Sequence, residues 1–309
     1  MGVLRRGRKI MASQISTAFA KPQKSTRMKM IGKSNVFTYF TLIVLSLLMI
    51  LPLIWLVRSS LMDNAQIFIF PPEWIPEPFR WSNYPEALTA VPFKRFFLNT
   101  MILEVLTVSG VLVTTMISAY TFARLRWPGK NIVFGVLLAT GMLPGAATLI
   151  PMFVFWRELG ALDSFIPLSL PSWFGAGVYT GQGVFAIFLM RQFFMTIPRE
   201  LDEAAYMDGA NPLTVLWHII LPLSKPALLV ITVFSFNDVW NQFLEPTLYL
   251  SSEKKYTMAL GLASFKGLYN AQWGYLMAAS ATMVAPIILL FFLAQRYFIE
   301  GITLTGIKG

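Results

Sequence analysis

Residues Val36 to Val57 carry no charged side chain. About 20 such residues cross the hydrocarbon core of a bilayer, and in lipid the backbone polar groups must be satisfied within the segment, so the stretch is a helix. It is too long for the core of a secretory signal and no small-residue cleavage site follows, which predicts a retained transmembrane helix. The same pattern recurs at Phe96–Phe122 with one charge, Glu104; at Ile132–Trp156, kinked by Pro144 and Pro151; at Gly177–Met190; at Ala227–Leu250, holding Asp238 and Glu245; and at Ala271–Ala294, kinked by Pro286. The expected fold is an all-α polytopic membrane protein with six transmembrane helices. It divides into a basic N-terminal segment (1–35), a six-helix domain (36–298) and a C-terminal tail (299–309).

Charge placement sets the orientation. Met1 to Asn35 holds nine basic residues and no acidic one. With alternating sides, 17 of the 25 Lys and Arg fall on the side of both termini, which the positive-inside bias makes cytoplasmic. The net charge of +10 therefore reads as topology, not nucleic-acid binding. Only 13% of residues are charged, against about 25% in soluble domains, so most of the surface meets lipid. Ile10 to Phe19 either lies on anionic lipid or is disordered. Arg58 to Arg95 is an outer loop rich in proline and aromatics, and the first part of Ser164–Met190 is an outer loop or a re-entrant piece. With no cysteine and one histidine, His218, disulfides, thiolate metal sites and histidine clusters are excluded.

One inner loop departs from the positive-inside pattern. Over Pro198–Pro226, Glu200, Asp202, Glu203 and Asp208 outnumber Arg199 across a first short helix. Pro198 suits its entrance, and Leu201, Ala204, Ala205 and Asp208 fall on one face. Gly209 sits where a left-handed cap belongs. Asn211 caps a second helix with Pro212 at its first position, and Pro222 and Pro226 break it. Such a pair suits docking on a basic soluble partner or resting in the lipid interface.

The same residues carry a resemblance. Glu203-Ala204-Ala205, Gly209 and Ile219-x-Leu221-Pro222 match EAA-x3-G-x9-I-x-LP, the loop of permease subunits in bacterial ABC importers. Trp81-Ser82-Asn83-Tyr84, Phe97-Leu98-Asn99-Thr100, Trp240-Asn241-Gln242-Phe243-Leu244 and the ending Gly301–Gly309 are similar to the sugar-importer branch, in particular the G-subunit type of the maltose importer. The resemblance implies the type I importer permease fold and an assembly: a companion permease subunit, two ATPase subunits, a periplasmic or extracellular solute-binding protein, and an oligosaccharide substrate. It implies no cofactor in this chain, since ATP and Mg belong to the ATPase, and no enzymatic activity. Glu203, Ala204, Ala205, Asp208, Gly209 and Ala210 would contact the ATPase, and Thr303–Gly309 would reach toward it.

Within the spans, Asn237, Asn241 and Glu245 recur every four residues, flanked by Asp238 and Trp240. Asn237, Asp238, Trp240 and Asn241 are candidates for lining the substrate pathway; interhelical pairing is the competing role. Glu104 reads as half of a structural pair, and His218 as a packing residue. Lys254-Lys255 suits an acidic sugar such as an alginate fragment, and equally a solvated surface or a docking site. Two readings compete: an ATPase-independent secondary transporter or channel, for which the sequence holds no convincing internal repeat and few buried charges, and a membrane-embedded enzyme, for which catalytic machinery is nearly absent.

Overall fold

The computed structural model describes residues 33–175, 182–267 and 271–305. The expectations for the basic N-terminal segment before residue 33, for the start of the fourth span at Gly177 and for the last four residues of the tail lie outside the described residues. Among the described residues every regular element is helical, and one antiparallel bridge joins Lys266 to Ala271. Two compact units divide at Leu53. The first contributes the start of α1 (Lys33–Ser60), whose apolar side chains, Phe37 and Met49 among them, are exposed as a lipid-facing helix requires.

The second unit contains the end of α1 and then α2 (Asn83–Ala90), α3 (Phe93–Ala123), α4 (Lys130–Gly141), α5 (Gly145–Glu158) and α6 (Gln182–Thr196). After these come α7 (Glu200–Met207), α8 (Pro212–Leu223), α9 (Lys225–Asn241), α10 (Leu244–Tyr249), α11 (Met258–Leu262) and α12 (Trp273–Thr305). Among the described residues three helices are long and apolar enough to cross a membrane: Val36–Ser60, Phe93–Ala123 and Trp273–Gln295. Counting each of two bent pairs as one span raises the number to five.

Three of the expected spans differ in detail. The third bends by 93° between α4 and α5 at Pro144, whose own backbone is extended (ψ 132°), while Pro151 is carried inside α5. The fourth continues past Arg191 to Thr196. Arg191 does not end it, because its guanidinium lies 4.3 Å from the Phe134 ring centroid and donates to the Phe122 carbonyl. The fifth stops at Asn241. Pro246 has no N–H for the Gln242 carbonyl and its ring would strike that group, so Gln242 turns extended (ψ 118°) and α10 restarts beyond it. Glu245 therefore leaves the stripe expected with Asn237 and Asn241. The sixth runs on as α12 to Thr305, with no break where the tail was expected to begin.

The segment before α6 forms a helical turn (Ile166–Ser169) and a 3-10 turn (Leu170–Phe174). Trp173 Nε1 donates to the Leu106 carbonyl, and Thr114 Oγ1 donates to the Trp173 carbonyl. Between them, a Cβ on Gly110 would lie 2.5 Å from Ser172 Oγ. The turns thus nest against the middle of α3, where protein covers their irregular backbone.

Three motif residues turn out to pin loops. Asn83 Nδ2 donates to the carbonyls of Ser60 and Met62. Asn99 Nδ2 donates to those of Lys254 and Tyr256, and Thr100 Oγ1 accepts from the Met258 amide. Each is buried, where a side-chain amide or hydroxyl is stable only if it replaces the water it has lost.

Candidate coupling interface and translocation pathway

The loop between α6 and α9 is built as its residue types require. At the end of α7 the Gly209 amide donates to Tyr206 and the Ala210 amide to Ala205, the pairing of a Schellman cap. Gly209 has φ +83° with open space around a notional Cβ, so the backbone angle and not crowding demands glycine. Asn211 Oδ1 then accepts from the Thr214 amide at 2.8 Å and opens α8, with Pro212 in its first turn. Pro222 does not break α8. A π-turn over Leu216–Ile220 absorbs it, and the bend of 80° falls at Ser224, whose hydroxyl donates to the Ile220 carbonyl. Pro226 lies in the first turn of α9. His218 Nδ1 is 3.2 Å from the Thr214 carbonyl on an exposed surface.

The buried face of α7 centres on Asp202. Asp202 is buried and Ala205 and Ala210 pack on an apolar cluster of Tyr120, Met190, Phe194, Val215 and Ile220. Leu201, Glu203, Ala204 and Asp208 are exposed, and Met207 is 88% exposed. Asp202 belongs to the set that sequence reasoning counted only as negative charge. Its Oδ2 lies 3.4 Å from Arg124 Nε, with both side chains buried, and Arg124 Nη2 donates to the Ile197 carbonyl at 2.7 Å. Burial pushes the Asp202 carboxyl above the ordinary carboxylate range, against the pull of Arg124. The pair fastens α7 to the end of α3. The signal that could have found it is the position of Arg124, just past a transmembrane helix and facing an acidic loop.

On α9, Asn237 and Asn241 are both exposed, and Asn241 Nδ2 donates to the Asn237 carbonyl and side-chain oxygen. Asp238 is half-buried and acts electrostatically on Glu104 of α3, whose two carboxyl oxygens are buried without a hydrogen bond. Trp240 points elsewhere. It is 1% exposed, donates from Nε1 to the Met283 carbonyl and stacks on Phe236. Trp240 is therefore a packing anchor between α9 and α12 and offers no free face to a sugar.

Near the start of α3, a groove of about 850 Å³ is lined by Lys94, Arg95, Asn99 and Lys254 together with Leu98 and Ile102. The two adjacent lysines divide their work. Lys254 lines the groove, whereas Lys255 Nζ is bound to Asp163, 3.0 Å from Oδ2. Asp163 also accepts from the amides of Ser251 and Ser252 and from Ser252 Oγ at 2.6 Å, at a left-handed φ of +52°. These bonds hold its carboxyl well below the usual carboxylate range.

Residues 110–303 match the model of the family described as "Binding-protein-dependent transport system inner membrane component". The chain is 33% identical over 276 residues to the sn-glycerol-3-phosphate transport system permease protein UgpE of Yersinia pestis bv. Antiqua (strain Antiqua), covering 87% of this chain and 95% of that one. It is 28% identical over 264 residues to the diacetylchitobiose uptake system permease protein NgcG of Streptomyces coelicolor, covering 82% and 83%. A chain in the crystal structure of a bacterial ABC transporter that imports the acidic polysaccharide alginate superposes with a TM-score of 0.73 at 24% identity, covering 88% of this chain and all of that one. That likeness supports the fold alone. With loop, fold and relatives in agreement, this chain belongs to the family of binding-protein-dependent transport system inner membrane components, the permease subunits of ABC importers, and is not an enzyme.

Proposed function

We propose that the chain forms half of the translocation pathway of an ATP-driven importer for oligosaccharides and receives its stroke through Pro198–Pro226. The observation that carries this reading is the form of α7. One face is fixed to the permease by Asp202, Ala205 and the cap at Gly209, and the other presents Leu201, Glu203, Ala204, Met207 and Asp208 uncovered. A helix with one anchored face and one free, acidic face transmits a push from a docked partner into α3 and α9. Two ATPase subunits bind the ATP and Mg. A companion permease completes the pore, and a solute-binding protein delivers the cargo from outside. Closure of the ATPases then rotates the helix bundles to alternate access. Six spans with both termini cytoplasmic fit the charge distribution. The exposed amides of Asn237 and Asn241, with Asp238 beside them, are the pathway candidates retained; Trp240 supports them from behind.

The basic groove favours a second reading of the cargo, an acidic oligosaccharide. Lys94, Arg95 and Lys254 line it with no carboxylate among them. One of the relatives above carries an anionic solute by name, glycerol 3-phosphate. Binding of a panel of neutral and acidic sugars to the cognate solute-binding protein separates the two.

The coupling role is tested by Glu203→Lys and Gly209→Val in the assembled importer. Both are expected to abolish uptake and to reduce ATPase co-purification, while the permease pair remains intact. Normal uptake by either variant would count against the proposal.

A further inference from the structure

The turn between α3 and α4 carries an open, shallow pocket of about 420 Å³ lined by Arg126, Trp127, Gly129, Lys130, Asn131 and Ile132. Neither the coupling nor the pathway reading uses it. We propose that this pocket binds the phosphate of an anionic phospholipid, with the acyl chains lying along the outer face of α4.

Charge imbalance is the first argument. Lys130 is repelled by Arg191, Arg199 and Arg126. Among the described residues, no carboxylate forms an ion pair with any of the four. Asp202 attracts Arg199 from a distance, but its contact is with Arg124. Water and salt screen such a cluster only in part, and a phosphate beside Arg126 and Lys130 brings a counter-charge with several acceptor oxygens to meet the donors. Lys130 Nζ donates to the Leu125 carbonyl at 3.0 Å, which leaves further ammonium protons to give. Asn131 adds a side-chain amide to the same wall.

The second argument separates a lipid from a free anion. An exposed apolar lane follows the pocket along α4. Ile132 is 75% exposed, and Val133 and Val136, three residues apart, continue the surface down α4. Trp127 stands at the pocket wall, where an indole suits the headgroup level of a membrane. A soluble phosphate would gain nothing from that lane, whereas two acyl chains would cover it. Basic pockets between transmembrane helices are sites of this kind.

The test uses the whole importer, purified with its partner subunits. Native mass spectrometry is run with added phosphatidylglycerol, with phosphatidylcholine of the same chains, and with inorganic phosphate. The wild-type assembly is expected to retain one more phosphatidylglycerol per copy of this chain than the Arg126→Gln/Lys130→Gln variant, whose affinity for that lipid falls roughly tenfold. Phosphatidylcholine should show no such difference, and millimolar phosphate should not displace the bound lipid. Equal retention by wild type and variant would overturn the site. Displacement by phosphate would reassign it to a soluble anion and overturn the lipid. Should the variant fail to assemble, a photoactivatable phosphatidylglycerol applied to the wild type decides: it must label the segment 125–136, and labelling confined to other segments would sink the proposal.

Discussion

Asp163 shows how much one residue can organise. It accepts from Ser251, Ser252 and Lys255 across a loop far away in sequence. Its carboxyl is held low, so its contribution is present above the unfolded value near pH 4 and is lost only as pH falls through the lower folded one. Hydrogen-exchange protection of residues 251–256 should therefore stay level from pH 8 to pH 5, and Asp163→Ala should remove it throughout. Protection that fades between pH 7 and pH 5 in the wild type would show that another group holds the loop. Asn241 is the residue on which the pathway reading turns. Asn241→Leu removes the bond to Asn237 on an exposed face, where the stability cost is small, within about 0.5 kcal/mol. Uptake and solute-stimulated ATP hydrolysis are expected to fall with assembly unchanged; unaltered values would leave a merely local role for the amide pair.

Among the elements, α7 depends on the contact it makes through Arg124 and Asp202. Removing one partner of a buried pair leaves the other charge uncompensated, a loss of about 3 kcal/mol. Arg124→Ala and Asp202→Ala are each expected to lower the thermal midpoint and weaken coupling of ATP hydrolysis to uptake. The double variant should cost less than the sum of the two, since neither orphan remains. Strictly additive losses would mean that the two side chains act independently. The pair also turns Leu201 and Ala204, which periodicity placed on one face, toward the exposed side. The buried ion pair and the packing of Ala205 and Ala210 on the apolar cluster together set the rotation of this short helix.

At the scale of the molecule, the prediction concerns topology. Among the described residues three helices meet the length criterion by themselves, bends divide two further pairs, and Gly183–Thr196 is a shorter apolar helix. The chain has no cysteine, so single cysteines can be introduced into an otherwise silent background. Cysteine at Thr214, on the exposed start of α8, should react only with reagent that reaches the cytoplasm. Cysteine at exposed Ser251 should react from outside. Labelling of both from one side would reject six spans with cytoplasmic termini and, with them, the proposed direction of coupling.

Local chemistry was legible in advance. The cap at Gly209 and the Asn211 start of α8 were readable because a left-handed backbone, an unpaired amide and a missing N–H are problems solved within a few residues. The apolar runs were readable because lipid leaves the backbone no alternative to a helix. What tertiary structure alone decided involves residues distant along the chain. Trp240 was withdrawn from the pathway by a carbonyl on α12, and Glu245 was separated from Asn241 where the ring of Pro246 forces the turn at Gln242. Lys255 was taken by Asp163 while Lys254 was left in the groove. Periodicity assigns a side chain to a face, but what meets that face depends on packing between segments, and no pattern within one segment encodes it.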